Sequence, residues 1–139
     1  MKIIAQTARL TLAEFTLEDG PFILRLVNEP SWLQYIGDRH VYTLADAEKY
    51  LSEGSMRSYR ERGFGFWKVI LNETGIIIGT AGLARRDYLD DIDLGFAFLP
   101  EYTGQGYALE SAKAVMEFAD SGLGLDKLVA FTSPDNISS

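Results

Sequence analysis

The stretch from Pro100 to Glu110, Pro-Glu-Tyr-Thr-Gly-Gln-Gly-Tyr-Ala-Leu-Glu, constrains this chain more than any other. It joins a strand-like run, Ile92 to Leu99, to the most regular amphipathic helix pattern in the sequence, Tyr107 to Ser121. In that pattern Leu109, Ala112, Met116 and Ala119 share one face, and Glu110, Lys113, Glu117 and Asp120 the opposite one. Glycines 104 and 106 at a strand-to-helix turn let several backbone N–H groups converge on one spot. The helix behind them adds its unpaired N-terminal N–H groups and the positive end of its dipole. Such an arrangement suits a pyrophosphate. The alternative is a tight turn that only caps a helix.

Two other phosphate-binding turns fit poorly. A dinucleotide fingerprint wants Gly or Ala three residues after the second glycine, where Leu109 stands. Its acidic residue should end a following strand, whereas Asp126 precedes the strand Lys127 to Thr132. A P-loop needs Gly-Lys-Ser/Thr after the glycines, and none follows.

At 139 residues the chain is expected to form a single domain, 1–139, with one core. Its 47% hydrophobic and 24% charged content is ordinary for a soluble protein. A formal net charge of −7 argues against a nucleic-acid partner and suits a basic or amine substrate. Without cysteine there is no disulfide, no thiolate metal site and no cysteine acyl-enzyme. The lone His40 cannot assemble a His-based metal centre, so no metal is expected, and His40 reads as a loop residue without catalytic duty. No run is long enough for a signal peptide or a membrane span, so a cytoplasmic location is expected.

Arg9 to Phe15 reads as the first strand, and Thr16-Leu17-Glu18-Asp19 as the start of a helix ended by Asn28-Glu29-Pro30. Thr43-Leu44-Ala45-Asp46 starts a second helix running to about Arg62. Phe66 to Leu71 and Ile76 to Leu83 form strands about a turn at Asn72-Glu73-Thr74-Gly75, with Trp67 in the core. The order is therefore β-α-α-β-β-β-α-β, an α/β layout with an antiparallel N-terminal part and one βαβ crossover.

With these pieces in place the chain resembles the GCN5-related N-acetyltransferases (GNAT superfamily), and most of all their RimJ/RimL-type branch. Thr7-Ala8-Arg9-Leu10-Thr11-Leu12, Ile78-Gly79-Thr80-Ala81-Gly82-Leu83, Leu94-Gly95-Phe96, the Pro100–Glu110 segment and Asn136 with Ser139 match that branch in order. The resemblance implies a GNAT fold with a mixed central sheet. It departs in two places. The family continues beyond Ser139 with a helix and a hairpin, so the chain reads as C-terminally truncated. Glu101 stands where the wider family prefers Gln or Arg.

The resemblance also implies acetyl-CoA as co-substrate. Thr103, Gly104, Gln105, Gly106, Tyr107 and Ala108 would cradle its pyrophosphate, and Asn136 would contact the pantetheine. The backbone of Ala97, Phe98 and Leu99 would line the pantetheine arm and give one N–H to the thioester oxygen. Ser139 would stand near the departing sulfur. Strand alternation sets Ile92, Leu94, Phe96 and Phe98 on a core face and Asp93, Gly95, Ala97 and Leu99 on the other. Asp93 is the candidate general base, against a reading as a solvated residue at a strand start. Trp32 and Tyr35 fall where the family binds its acceptor.

The expected activity is acetyl transfer to a primary amine, on a protein N-terminus or a small molecule. With no cysteine, direct attack in a ternary complex is favoured over a covalent route. The alternative from another class is a catalytically silent acyl-CoA-binding module. The chain is expected as a monomer or homodimer.

Overall fold

The computed structural model describes residues 1–85, 92–122 and 128–130. Strands β1 (Ile3–Gln6) and β2 (Leu10–Ala13) form a hairpin. A 3₁₀ turn, Leu17–Asp19, leads into α1 (Gly20–Leu26), followed by α2 (Pro30–Tyr35). Helix α3 (Leu44–Leu51) runs through a π-helical turn, Ser52–Met56, into α4 (Arg57–Arg62). Then come β3 (Phe66–Leu71), β4 (Ile76–Arg85), β5 (Ile92–Phe98), α5 (Tyr107–Glu117) and β6 (Leu128–Ala130). The sheet has the order β1-β2-β3-β4-β5-β6. It is antiparallel through β5 and parallel between β5 and β6. The mixed sheet expected from the sequence is the one observed.

Local chemistry explains the boundaries. Thr43 caps α3 through a capping box with Asp46, whose N–H donates to the Thr43 hydroxyl at 3.1 Å. The second helix spans the predicted range, broken only by the π turn around Gly54, a poor helix former. Gly63, at φ 79°, ends it in a left-handed cap.

Three expectations need correction. The sequence reading assigned no element to the first residues, but Ile3–Gln6 pairs with β2 and extends the sheet by an edge strand. Pro30 does not simply end the first helix; it sits in the first turn of α2 behind Glu29 as N-cap, where a missing N–H costs nothing. On α5 the buried stripe is Tyr107, Ala108, Ser111, Ala114 and Val115, with Ala119 beyond the helix end, while Leu109 and Met116 are 60% and 52% exposed. Small side chains make up most of the inner stripe, beside Tyr107 and Val115.

Partner registers show how the sheet divides the core. Leu12, Val69, Gly79 and Phe98 lie in one row, as do Trp67, Ala81 and Phe96. These residues face α5 and form the main core with Leu83, Leu94 and Val115. Phe118 meets the Trp67 ring edge-on at 5.3 Å. On the opposite face Ala13, Lys68, Thr80 and Ala97 form a row, with Asp93 beside Ala84. The α1–α4 layer covers it, with its own cluster of Phe15, Ile23, Val27, Val41, Ala47 and Leu51.

A buried ion pair fastens that layer. Lys68 Nζ donates to Asp19 Oδ2 at 2.8 Å, each side chain being 9% exposed. The same carboxylate accepts the Thr16 N–H at 2.9 Å. Gly82 is required by close approach: a Cβ there would stand 2.2 Å from the Gly65 carbonyl oxygen.

Candidate active site

The turn from β5 into α5 is built by backbone conformation. Pro100–Tyr102 forms a 3₁₀ turn, closed by Thr103, whose N–H and hydroxyl both donate to the Pro100 carbonyl at 3.3 and 2.9 Å. Gly104 and Gly106 follow at φ 75° and 82°, left-handed values that side chains rarely adopt. Gly106 is the N-cap of α5. Among the described residues, the backbone N–H groups of Gly104 through Leu109 donate to no protein acceptor. Consecutive unpaired donors at a helix N-terminus are the makings of an anion site. Gly104, Gln105, Gly106, Tyr107 and Ala108 all lie in this turn and the helix start behind it. Both hydrogen-bond donors of Thr103 serve the turn itself.

Two Arg–Glu pairs hold this turn from separate elements. Arg25 on α1 grips both carboxylate oxygens of Glu101 through Nη2, at 2.9 and 2.6 Å. This hydrogen bond holds the Glu101 carboxyl below its ordinary pKa and raises that of Arg25. Gln105 Nε2 adds a bond to the Glu101 carbonyl at 3.2 Å. On the other side Arg9, beside the β1–β2 turn, donates from Nε to Glu110 Oε1 at 2.7 Å and from Nη1 to the Gln105 carbonyl at 3.0 Å. Its main-chain N–H and the Thr7 hydroxyl both donate to Glu110 Oε2. Its guanidinium lies 4.5 Å from the centre of the Tyr107 ring. Burial raises the Glu110 pKa, but the bonds from Thr7 and Arg9 outweigh it and hold the carboxyl below its usual range.

Strand β5 leads into the turn. The Leu99 N–H donates to the Ile78 carbonyl at 3.0 Å. In an antiparallel pair the main-chain groups alternate sides, so those of Ala97 also point toward β4 while those of Phe98 point to the other side of the strand. Of Ala97, Phe98 and Leu99, Phe98 alone has its N–H on the side away from β4.

Asp93 is 3% exposed, so the solvated reading of this residue is overturned. It lies between Ala84 on β4 and Val129 on β6 in the registers of the sheet. Ala84 also lines a groove of about 610 Å³ together with Tyr50, Glu53, Arg57, Glu61 and Phe66. The groove borders the π turn and lies at the end of the sheet opposite the glycine turn. Burial raises the Tyr50 pKa.

Trp32 and Tyr35 both lie on α2. Trp32 packs against the Phe15–Leu51 cluster, and its buried indole Nε1 has no hydrogen-bond partner. Tyr35 is 42% exposed. His40 is exposed and bonds only locally, its Nδ1 lying 3.0 Å from the Tyr42 hydroxyl. Asn136 and Ser139 lie outside the described residues. Among the described residues no cluster of His, Asp and Glu could hold a metal ion, and no helix is long and apolar enough to cross a membrane.

Sequence reasoning did not find Arg9, Arg25 and Glu110 as supports of the turn. The only signal was the presence of Arg9 and Glu110 within the segments carrying the family resemblance.

Known proteins resemble this chain in sequence and in fold. The profile of the family described as "Acetyltransferase (GNAT) domain" matches residues 9–139. The N-acetyltransferase YnaD of Bacillus subtilis, itself uncharacterized, is 26% identical over 133 residues, covering 96% of this chain and 75% of that protein. A crystal structure of an acetyltransferase from Agrobacterium tumefaciens superposes with a TM-score of 0.78 at 27% identity, over 98% of this chain and 77% of the other. At the level of fold alone, RimL, a ribosomal L7/L12 N-acetyltransferase solved with coenzyme A, gives a TM-score of 0.77 at 18% identity, over 93% and 73% of the two chains.

Proposed function

Because the chain belongs to the GNAT family of acetyltransferases, we propose that it moves an acetyl group from acetyl-CoA to a primary amine by direct attack in a ternary complex. The observation that carries this reading is the run of amide N–H groups from Gly104 to Leu109 at the N-terminus of α5, which have no protein acceptor among the described residues. An acidic chain of net charge −7 repels a polyanion at long range. Backbone dipoles are therefore the natural way for it to bind pyrophosphate.

Acetyl-CoA, when bound, supplies the activated thioester; the chain supplies position, polarity and a proton acceptor. The Gly104–Ala108 amides hold the pyrophosphate, and Asn136 and Ser139 are assigned to the pantetheine and the departing sulfur. The N–H of Phe98, directed away from β4, is assigned to the thioester oxygen, which it would polarise. Asp93 takes a proton from the acceptor's ammonium, directly or through water, so that the neutral amine attacks the thioester carbonyl. The groove beside Ala84 would give the amine a route toward Asp93; its lining balances Glu53 and Glu61 with Arg57 and Arg62, so its charge alone selects no acceptor. Trp32 and Tyr35 remain candidates for a more distant part of the acceptor. The relatives YnaD and YoaA of Bacillus subtilis, both N-acetyltransferases by name, support nitrogen as the accepting atom.

The test is a thiol-release assay with acetyl-CoA and a panel of primary amines, N-terminal peptides and alcohols, with product masses measured. Acetyl-amide products formed with release of stoichiometric CoA are expected. Acetyl-CoA binding without turnover of any amine would instead establish a silent binding module.

A further inference from the structure

We propose that Arg9 is a positioning residue of the acetyl-CoA site, fixing the direction in which the Gln105–Gly106 peptide points. The proposal rests on the reading of the Gly104–Ala108 turn as the pyrophosphate cradle.

The peptide in question lies in a turn that could adopt either orientation. Turning it over changes ψ of Gln105 and φ of Gly106, and glycine accepts both signs of φ. In a trans peptide the C=O and the next N–H point in opposite directions. Whatever holds the Gln105 carbonyl therefore decides where the Gly106 N–H is aimed. Arg9 Nη1 holds it at 3.0 Å, and no helical N–H competes, since that of Leu109 makes no bond to it. With the carbonyl turned toward Arg9, the Gly106 N–H is aimed to the far side, away from the guanidinium.

Arg9 is itself held firmly enough to act as a latch. Its Nε and its main-chain N–H each bond one oxygen of Glu110, and its guanidinium stacks on Tyr107. A planar fork is needed to reach Glu110 and the Gln105 carbonyl together, which an ammonium cannot do in the same geometry. The same contact answers an electrostatic difficulty. Glu110 puts a carboxylate in the first turn of α5, where it would repel a bound pyrophosphate. Pairing with Arg9 at 2.7 Å neutralises it on the spot. A residue at the turn of the edge hairpin thus shapes the donor array of the cofactor turn.

The experiment compares two acetyl donors, acetyl-CoA and S-acetylpantetheine, which lacks the pyrophosphate. Arg9→Met keeps the apolar stem over Tyr107 and removes every donor. Expected is a KM for acetyl-CoA raised by about tenfold or more, with kcat little changed and kcat/KM for S-acetylpantetheine unaltered. A loss shared equally by both donors, or an unchanged KM for acetyl-CoA, overturns the proposal. Should Arg9→Met fail to fold, Arg9→Lys, which keeps the charge but not the fork, is read by the same criteria. Gly106→Val separates the two levels of inference. If it weakens acetyl-CoA binding while the Arg9 variants do not, the cradle stands and the latch falls; if none weakens it, the cradle reading falls too.

Discussion

Arg9 and Glu110, 101 residues apart in the chain, meet at 2.7 Å and join the edge hairpin to the first turn of α5. The contact ties the start of the chain to its most function-bearing segment. It also gives that segment a titratable anchor.

The Glu110 carboxyl is held below its ordinary range in the folded chain, because hydrogen bonds from Thr7 and Arg9 outweigh its burial. A depressed carboxylate contributes stability above its unfolded pKa of about 4.3 and loses it as pH falls through the lower folded value. Melting temperatures of wild type and Glu110→Gln should therefore differ most above that range and converge in stronger acid. A constant difference across the acid range would show that the charge of Glu110 is not what matters.

Asp93→Asn keeps the shape of a buried side chain and removes its proton acceptor. Turnover should fall by roughly 10²–10⁴-fold, while acetyl-CoA binding measured by calorimetry stays near wild type. A pH–rate profile identical to wild type, at full activity, would assign the proton to another group.

Lys68→Ala should be among the most damaging substitutions, since it strands Asp19 in a site where both side chains are 9% exposed. A loss of about 3–5 kcal/mol is expected from denaturant unfolding. Replacing both partners with apolar residues of similar size should cost less than the single change. Additive effects in that double-mutant cycle would contradict a true buried pair.

Features encoded locally were the ones legible in the sequence. Gly104 and Gly106 between an alternating strand and a periodic helix announced the turn, because left-handed backbone and glycine go together. The capping box at Thr43 announced α3 in the same way. Contacts that depend on register were not legible. Asp19 read as a helix-start residue, and only the placement of β3 against the α1 layer brings Lys68 to it across 49 positions. Asp93 could be read as solvated because its burial depends on what packs around β5, and the partner strand β6 meets it only at Val129, far along the chain. The outward position of Leu109 escaped for a related reason. Helical periodicity identifies a stripe, but here the small residues Ala108, Ser111 and Ala114 took the inner one.

The most direct test of the cofactor turn is calorimetric titration of acetyl-CoA into wild type and Gly106→Val. Valine at φ 82° is strained and brings a side chain beside the donor array, near Arg9 Nη2, which lies 3.4 Å from the Cβ position. Affinity should drop by about tenfold or more, on the order of 1.4 kcal/mol, in a variant whose circular dichroism matches wild type. A folded Gly106→Val chain that binds acetyl-CoA as tightly as wild type would contradict the assignment of this turn to the cofactor.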